Sequence, residues 1–403
     1  MKIKPIILCG GSGTRLYFRK SKNIPKQFIN FGNWTLLGKT LERIKSSIFD
    51  TPIICTNIKY LKQVKHHLKK YKIPKYRIVL EPVKKNTAPA ILSAALIKDI
   101  SNIQPLMFFS ADHLIEKKNV LEKSIIKNKS KLTDQNIFIF GIKPVTASSD
   151  YGYFITKKIR GDIEKVVKFI EKPNEIKAKK IIKQRGYWNS GMFFVRKDSI
   201  VNNFKKHQPV IFKNCFNAVR KAQFKNNTYY LNKASFVKTT AKSFDYAILE
   251  KAKEINAIKL NIPWSDLGSW KEILKMYSKN KSKYFKNENV FLKPWGKYTN
   301  LFEGKDFLIK ELSVKPQGVL SLQKHYHRAE HWLITQGNPK ITLNKQHFIK
   351  KPNEHIFIPM RAIHRIKNPG KKPVKIIEAQ VGSLLKESDI VRYEDLYGRV
   401  KKN

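Results

Sequence analysis

Two stretches of the chain combine residue types and spacings able to do chemistry. The first is Gly10-Gly11-Ser12-Gly13-Thr14-Arg15-Leu16, followed at short range by Pro25-Lys26-Gln27-Phe28. Glycines lack a Cβ, so their amides can approach a phosphate chain closely, and Arg15 and Lys26 supply charge to neutralise it. No Gly-Lys-Ser/Thr follows, which excludes a Walker loop. The third glycine and the acidic residue about 20 positions on that mark a dinucleotide site are missing too. The second stretch is His325-Tyr326-His327-Arg328-Ala329-Glu330-His331, followed by His364. Alternate residues of a strand share a face, so His325 and His327 are expected to converge on one ion. Glu330 and His364 would complete a mononuclear site, with His331 a substitute for the carboxylate. Imidazole plus carboxylate suits Zn²⁺, Fe²⁺ or Mn²⁺.

Elements must hold these groups in place, and the hydrophobic pattern says which. Pro5–Leu8, Pro52–Thr56, Leu106–Ser110, Ile137–Ile142 and Met192–Val195 read as buried strands. Leu36–Ile48, Ile58–Tyr71 and Ala88–Ile100 have helical spacing between them. Such alternation implies an α/β domain around a mixed, mostly parallel sheet, Rossmann-like, over residues 1–278. A polar stretch at residues 279–289 carries no apolar period and reads as a linker. From residue 290 to residue 403 the pattern changes to short strands separated by Gly, Pro and Asn turns, among them Phe307–Val314, Trp332–Thr335, Lys340–Leu343, His355–Ile358 and Val374–Glu378. This spacing fits an all-β barrel or jelly roll.

Composition narrows the partners. In 403 residues there are 81 basic and 30 acidic side chains, a net charge of +51. The basic residues are 68 lysines and only 13 arginines, scattered along the whole chain. Base-edge and bidentate phosphate recognition favour arginine, so no specific nucleic acid is expected, and the charge reads as a solvated surface. No apolar run approaches the roughly 20 residues of a bilayer-spanning helix, and the amino terminus lacks a secretory core. Three distant cysteines, Cys9, Cys55 and Cys215, offer neither a disulfide framework nor a CxxC site. A reducing, cytoplasmic setting with no membrane partner is expected, and a homo-oligomer is left open.

Further segments carry a resemblance. Glu81-Pro82-Val83, Asn86-Thr87-Ala88-Pro89-Ala90, Ser110-Ala111-Asp112-His113, Tyr151-Gly152-Tyr153, Phe169-Ile170-Glu171-Lys172-Pro173, Trp188-Asn189-Ser190-Gly191-Met192-Phe193 and Trp264-Ser265-Asp266-Leu267-Gly268-Ser269-Trp270 follow the glycine loop in order. Together they resemble the sugar-phosphate nucleotidyltransferases, in the guanylyltransferase branch that makes GDP-mannose. The resemblance implies attack of mannose 1-phosphate on the α-phosphorus of GTP with release of pyrophosphate, a reaction that needs charge neutralisation and in-line positioning. It implies Asp112 and Asp266 as Mg²⁺ ligands, and Arg15, Lys26, Asp112 and Asp266 as the catalytic set. Gly10, Gly11, Ser12, Gly13, Thr14, Arg15, Lys26, Asn86 and Thr87 would hold the nucleotide. Gly152, Glu171, Lys172 and Asn189 would hold the sugar phosphate. The chain departs from the family at Tyr17-Phe18-Arg19-Lys20-Ser21, where Trp-Pro-Leu-Ser-Arg is usual, and at Ser110, where proline is usual. Its middle is also shortened, with 24 residues from Trp270 to Pro294.

The histidine stretch resembles the cupin motifs. Its surroundings, Pro294-Trp295-Gly296, Leu320-Ser321-Leu322-Gln323, Ala329-Glu330-His331-Trp332, Ile363-His364-Arg365 and the run from Asp389 to Arg399, resemble the isomerase domain fused to these guanylyltransferases. The implied chemistry is metal-dependent interconversion of mannose 6-phosphate and fructose 6-phosphate through an enediol. Arg365 and Arg399 are candidate phosphate ligands. Two other readings stay open: a nucleotidyltransferase of different base or sugar preference, and a binding protein that keeps the fold without the activity.

Overall fold

Apolar runs without polar alternation become strands covered on both faces. In the computed structural model they are β1 (Lys4–Leu8), β2 (Ile53–Asn57), β3 (Arg77–Glu81), β4 (Pro105–Ser110), β5 (Leu114–Ile115), β6 (Ile137–Ile142), β7 (Tyr153–Arg160), β8 (Ile163–Ile170), β9 (Tyr187–Arg196), β10 (Gln223–Lys225), β11 (Thr228–Tyr230), β12 (Ile255–Leu260) and β13 (Trp264–Ser265). The structure describes residues 1–11, 25–29, 31, 34–160, 163–268, 272, 289–304 and 306–398. Contacts divide the chain into two units, Met1–Ser12 with Thr35–Asp266, and Gly13–Trp34 with Leu267–Asn403.

In the first unit, eleven strands among the described residues form one sheet, in the order β10-β11-β3-β2-β1-β4-β9-β6-β12-β8-β7. The run β11-β3-β2-β1-β4 is parallel, as is the pair β6 and β12. The neighbours β4 and β9, β9 and β6, and β8 and β7 are antiparallel. The sheet is therefore mixed, and parallel where helical crossovers join its strands. Helices α1 (Leu36–Arg43), α2 (Leu61–Lys70) and α3 (Thr87–Ala95) supply crossovers in that block. Each stops short of the expected end, because its last residues close as turns. Strand β9 is longer than Met192–Val195, since Trp188 and Asn189 pair with Ile142 and Gly141 of β6 and the strand runs on through an irregularity before Phe193. One core joins the sheet to α3 and to the helices Lys197–His207 and Pro209–Arg220, through Ile6, Phe108, Ile91, Phe204 and Cys215. All three cysteines are buried thiols, with no disulfide among the described residues.

The second unit is all β: β14 (Asn289–Lys293), β15 (Gly296–Glu303), β16 (Phe307–Val314), β17 (Leu322–His325), β18 (Arg328–Gln336), β19 (Lys340–Leu343), β20 (Gln346–Ile349), β21 (His355–Ile358), β22 (His364–Lys367), β23 (Val374–Gly382) and β24 (Ile390–Glu394). They form two antiparallel sheets among the described residues, β14-β15-β16-β23-β18-β21 and β20-β19-β22-β17-β24. Ile334, Ile376 and Trp332 of one sheet share a core with Ile341 and Ile366 of the other. This is the expected jelly-roll arrangement. Among the described residues no helix is long and apolar enough to cross a membrane.

Candidate functional site

The strand order of the first unit reverses between β1 and β4, and ligands of open α/β sheets bind at such a switch point, beyond the carboxyl ends of the strands. β1 delivers Gly10 and Gly11 to that edge. A Cβ on Gly10 would lie 3.0 Å from Oε2 of Glu81, which ends β3, so glycine is what lets loop and carboxylate approach. Glu81 is buried, its Oε1 has no hydrogen-bond partner among the described residues, and burial pushes its carboxyl up to about 8. Sequence reasoning did not assign it a role, although its position at a strand end was visible. Ser12, Gly13, Thr14 and Arg15 lie outside the described residues. Lys26 is buried in the single turn Lys26–Phe28. Asn86 caps α3 by accepting from the Thr87 amide at 2.8 Å, and the Thr87 hydroxyl accepts from the Phe244 amide at 2.8 Å. Both side chains thus have structural duties at the start of that helix.

Asp112 follows β4, and Asp266 follows β13. Because Ser265 pairs with Leu114 and Trp264 with Ile115 in the antiparallel ribbon of β5 and β13, the two carboxylates emerge at the same end of it. The hydroxyl of Tyr151 donates to Oδ1 of Asp266 at 3.1 Å. The Tyr151 ring packs at 4.9 Å on Trp188 and 5.1 Å on Trp264, whose indole N–H groups are buried without acceptors among the described residues. Carboxylates are the oxygen donors that a hard cation takes, and both of these residues stand at one end of the ribbon.

The expected sugar-phosphate residues also assemble. Asn189 donates its amide N–H to the Gly152 carbonyl at 2.8 Å, and a Cβ on Gly152 would lie 2.5 Å from Oε2 of Glu171. Lys172 Nζ stands 3.7 Å from Glu171 Oε1, with its side chain largely exposed. The structure adds Asp245. Its Oδ1 accepts from Nδ2 of Asn189 at 3.0 Å, and burial together with the Glu171 charge pushes its carboxyl up to about 7. Asp245 opens a π-helical turn, Asp245–Leu249, a local geometry common at functional sites. A lone acid in the apolar run Phe244–Leu249 was the signal that could have found it.

In the second unit, β17, β18 and β22 bring His325, Glu330 and His364 together. All three are buried, and their ligand atoms lie within 4.8 Å of one another. His325 Nε2 is 3.2 Å from Glu330 Oε1, and His364 Nε2 is 3.7 Å from Glu330 Oε2. His364 Nδ1 lies 2.9 Å from the Ala362 carbonyl, which assigns the proton there and leaves Nε2, itself without a hydrogen-bond partner, facing the cluster. Burial alone would raise the Glu330 carboxyl, but His325, His364 and Arg328 outweigh it and hold it well below the usual range. Burial lowers His364 to about 4. An ionised carboxylate and a neutral imidazole are the forms that bind a divalent ion, so the donor set fits one.

Three expectations are corrected here. His327 is not part of the cluster: β17 ends at His325, the chain bends through Tyr326 and His327, and the two-residue alternation stops there. Its Nδ1 meets Asp389 Oδ1 at 2.8 Å instead. His331 packs on Phe357 at 4.6 Å, one step out of register with Glu330. Arg365 pairs with Glu394 at 2.9 Å and does not line the cavity beside Glu330. Arg399 lies outside the described residues. Arg328, which sequence reasoning passed over, is buried against the cluster, with Nε 3.2 Å from Glu330 Oε1 and Nη2 3.3 Å from His325 Nε2.

Two family profiles match successive parts of the chain. The family profile described as nucleotidyl transferase matches residues 4–283, and that described as mannose-6-phosphate isomerase C-terminal matches residues 279–395. The chain is similar to the alginate biosynthesis protein AlgA of Pseudomonas fluorescens, 31% identical over 98% of this chain and 96% of that protein. It is 30% identical to the mannose-1-phosphate guanylyltransferase RfbM of Salmonella typhimurium over 100% and 99% of the two chains. The alignment with AlgA runs over 466 positions against 403 residues here, so the relative carries segments that this chain lacks. Among solved structures, the mannose-6-phosphate isomerase of Helicobacter pylori superposes with a TM-score of 0.57 at 27% identity, over 66% of this chain and all of that one.

Proposed function

The chain belongs to the nucleotidyl transferase family and continues into a mannose-6-phosphate isomerase C-terminal domain, and on that premise we propose that it is an enzyme of GDP-mannose synthesis with two activities. The first unit joins mannose 1-phosphate to the guanylyl group of GTP and releases pyrophosphate. The second interconverts mannose 6-phosphate and fructose 6-phosphate. Similarity to RfbM and AlgA along nearly the whole length of each carries the reading.

The residues fit it chemically. Glu81, with an oxygen lacking a partner, suits the N–H donors on the edge of guanine. Gly10 and Gly11, at the end of β1, serve the triphosphate. Glu171 and Asn189, the latter oriented by Asp245, serve the sugar hydroxyls, and Lys172 serves the phosphate. A Mg²⁺ ion held by Asp112 and Asp266 supplies charge neutralisation to the phosphates. In the second unit, Zn²⁺, Fe²⁺ or Mn²⁺ held by His325, Glu330 and His364 supplies polarisation of the sugar's carbonyl and hydroxyl oxygens.

The test is direct. The protein incubated with GTP, mannose 1-phosphate and Mg²⁺ should release pyrophosphate, faster than with ATP, UTP or glucose 1-phosphate. Thorough chelation should abolish, and metal return should restore, formation of fructose 6-phosphate from mannose 6-phosphate. Pyrophosphate release without base preference would overturn the guanylyl assignment. Isomerisation indifferent to metal removal would overturn the role of the histidine cluster.

A further inference from the structure

A cavity in the second unit opens onto Glu330, the carboxylate of the histidine cluster, and four cationic side chains line it: Lys293, Lys310, Arg328 and Arg392. Two of them are committed. Lys293 pairs with Glu387 at 2.9 Å, and Arg328 is spent on Glu330 and Asp389. The other two are not. Lys310 is about nine-tenths buried, yet among the described residues its ammonium has only the face of the Tyr298 ring, 4.9 Å away. Arg392 makes no ion pair among the described residues, and its Nε is buried without a hydrogen-bond partner. A buried charge whose neighbours are committed elsewhere is costly, so the buried Lys310 and the partly buried Arg392, whose Nε lacks an acceptor among the described residues, point to an anionic ligand.

Their placement follows from register. In the six-stranded sheet Lys310 pairs with Glu378, Glu378 with Trp332, and Gln380 with Glu330. In the five-stranded sheet His364 pairs with Gln323, and Gln323 with Arg392. Lys310 therefore stands two strands from the strand that carries Glu330, about 10 Å across the sheet at the usual strand spacing, whereas Arg392 stands on the strand next to β17, which ends in His325, and two strands from His364. One comes from each sheet. We propose that Lys310 and Arg392 form a subsite for a phosphate monoester dianion, which holds the phosphate end of the sugar while its C1–C2 end lies at His325, Glu330 and His364.

The acidic side chains facing Lys310 do not fill this role. Glu387 is tied to Lys293 and Tyr298, Glu330 to His325 and Arg328, and Glu378 accepts from Trp332 and Gln380. Burial lowers the proton affinity of the Lys310 ammonium, with Arg328 acting in the same sense and Glu378, Glu330 and Glu387 against it. A dianion in the subsite would restore it. The subsite takes the place of Arg365, a phosphate ligand expected from sequence, which pairs with Glu394 instead.

The inference rests on the isomerase reading, and the experiment separates the two. In the full-length metal-loaded protein, Lys310→Gln and Arg392→Gln should each raise the KM for mannose 6-phosphate and the inhibition constant of inorganic phosphate about tenfold or more. Turnover at saturation should change far less, and Lys310→Arg should recover most of the loss. Unchanged constants in both neutral variants would overturn the subsite. If the wild type shows no isomerase activity, that reading fails by itself, and calorimetry with inorganic phosphate decides the subsite. Loss of one bound phosphate per chain in folded Lys310→Gln, with binding kept in Lys310→Arg, supports it; equal binding in wild type and Lys310→Gln refutes it.

Discussion

At the scale of single residues, the first unit works by close approach. Gly152 leaves room for the Glu171 carboxylate, and a methyl there would meet Oε2 at 2.5 Å. That oxygen ends a flexible side chain, so Gly152→Ala should leave the melting temperature nearly unchanged while displacing Glu171. We expect the KM for mannose 1-phosphate to rise about tenfold, measured by pyrophosphate release. Glu81 makes a second prediction. Its folded pKa, about 8, lies above the ordinary 4.5, so the folded state holds the proton more tightly than the unfolded one. Its contribution is therefore full below the unfolded value and is lost as pH rises through the folded one. Urea midpoints measured between about pH 5 and pH 8 should fall less in Glu81→Gln than in the wild type. Asp245, also raised, keeps a residual slope in the variant.

At the scale of elements, the end of a strand decides which histidines can meet. His325 closes β17, and His327 falls in the bend beyond it. His364→Ala should therefore lose both bound metal, read by elemental analysis after dialysis, and isomerase activity by at least about a hundredfold. His327→Ala should keep both within a few-fold. Helix α1 shows the same dominance of packing over local preference. Alanine normally favours a helix interior over glycine by about 1 kcal/mol, but a Cβ on Gly38 would lie 2.1 Å from the Tyr71 ring. Gly38→Ala should thus destabilise the protein by about 1–3 kcal/mol in chemical denaturation.

At the scale of the whole molecule, two cores of different construction carry two chemistries. One lies between a mixed sheet and its helices, the other between two antiparallel sheets. Asp112 belongs to the first unit, and His325, Glu330 and His364 belong to the second. Asp112→Ala should therefore abolish pyrophosphate release and leave isomerisation near the wild-type rate, and His364→Ala should do the reverse. Loss of both activities in either folded variant would show the sites to be coupled. The surplus of lysine belongs to this scale as well. It is spread along the chain, and the cations that matter in the second unit are the few enclosed in its cavity, Lys310 and Arg392.

The sequence by itself determined what depends on local order. The α/β alternation, the change to short strands after residue 289 and the candidacy of His325, Glu330 and His364 as ligands follow from residue type and pattern. Only the tertiary structure decided what depends on register between distant strands. It removed His327 from the cluster, brought Asp245 to Asn189 across 56 positions, and set Glu81 against Gly10. It also left Lys310 and Arg392 facing one cavity. The physical reason is that a side chain's partners in a sheet come from hydrogen-bonded neighbours far away in the chain. One residue of bend or slip reverses the face on which it stands, and periodicity cannot foresee where that happens.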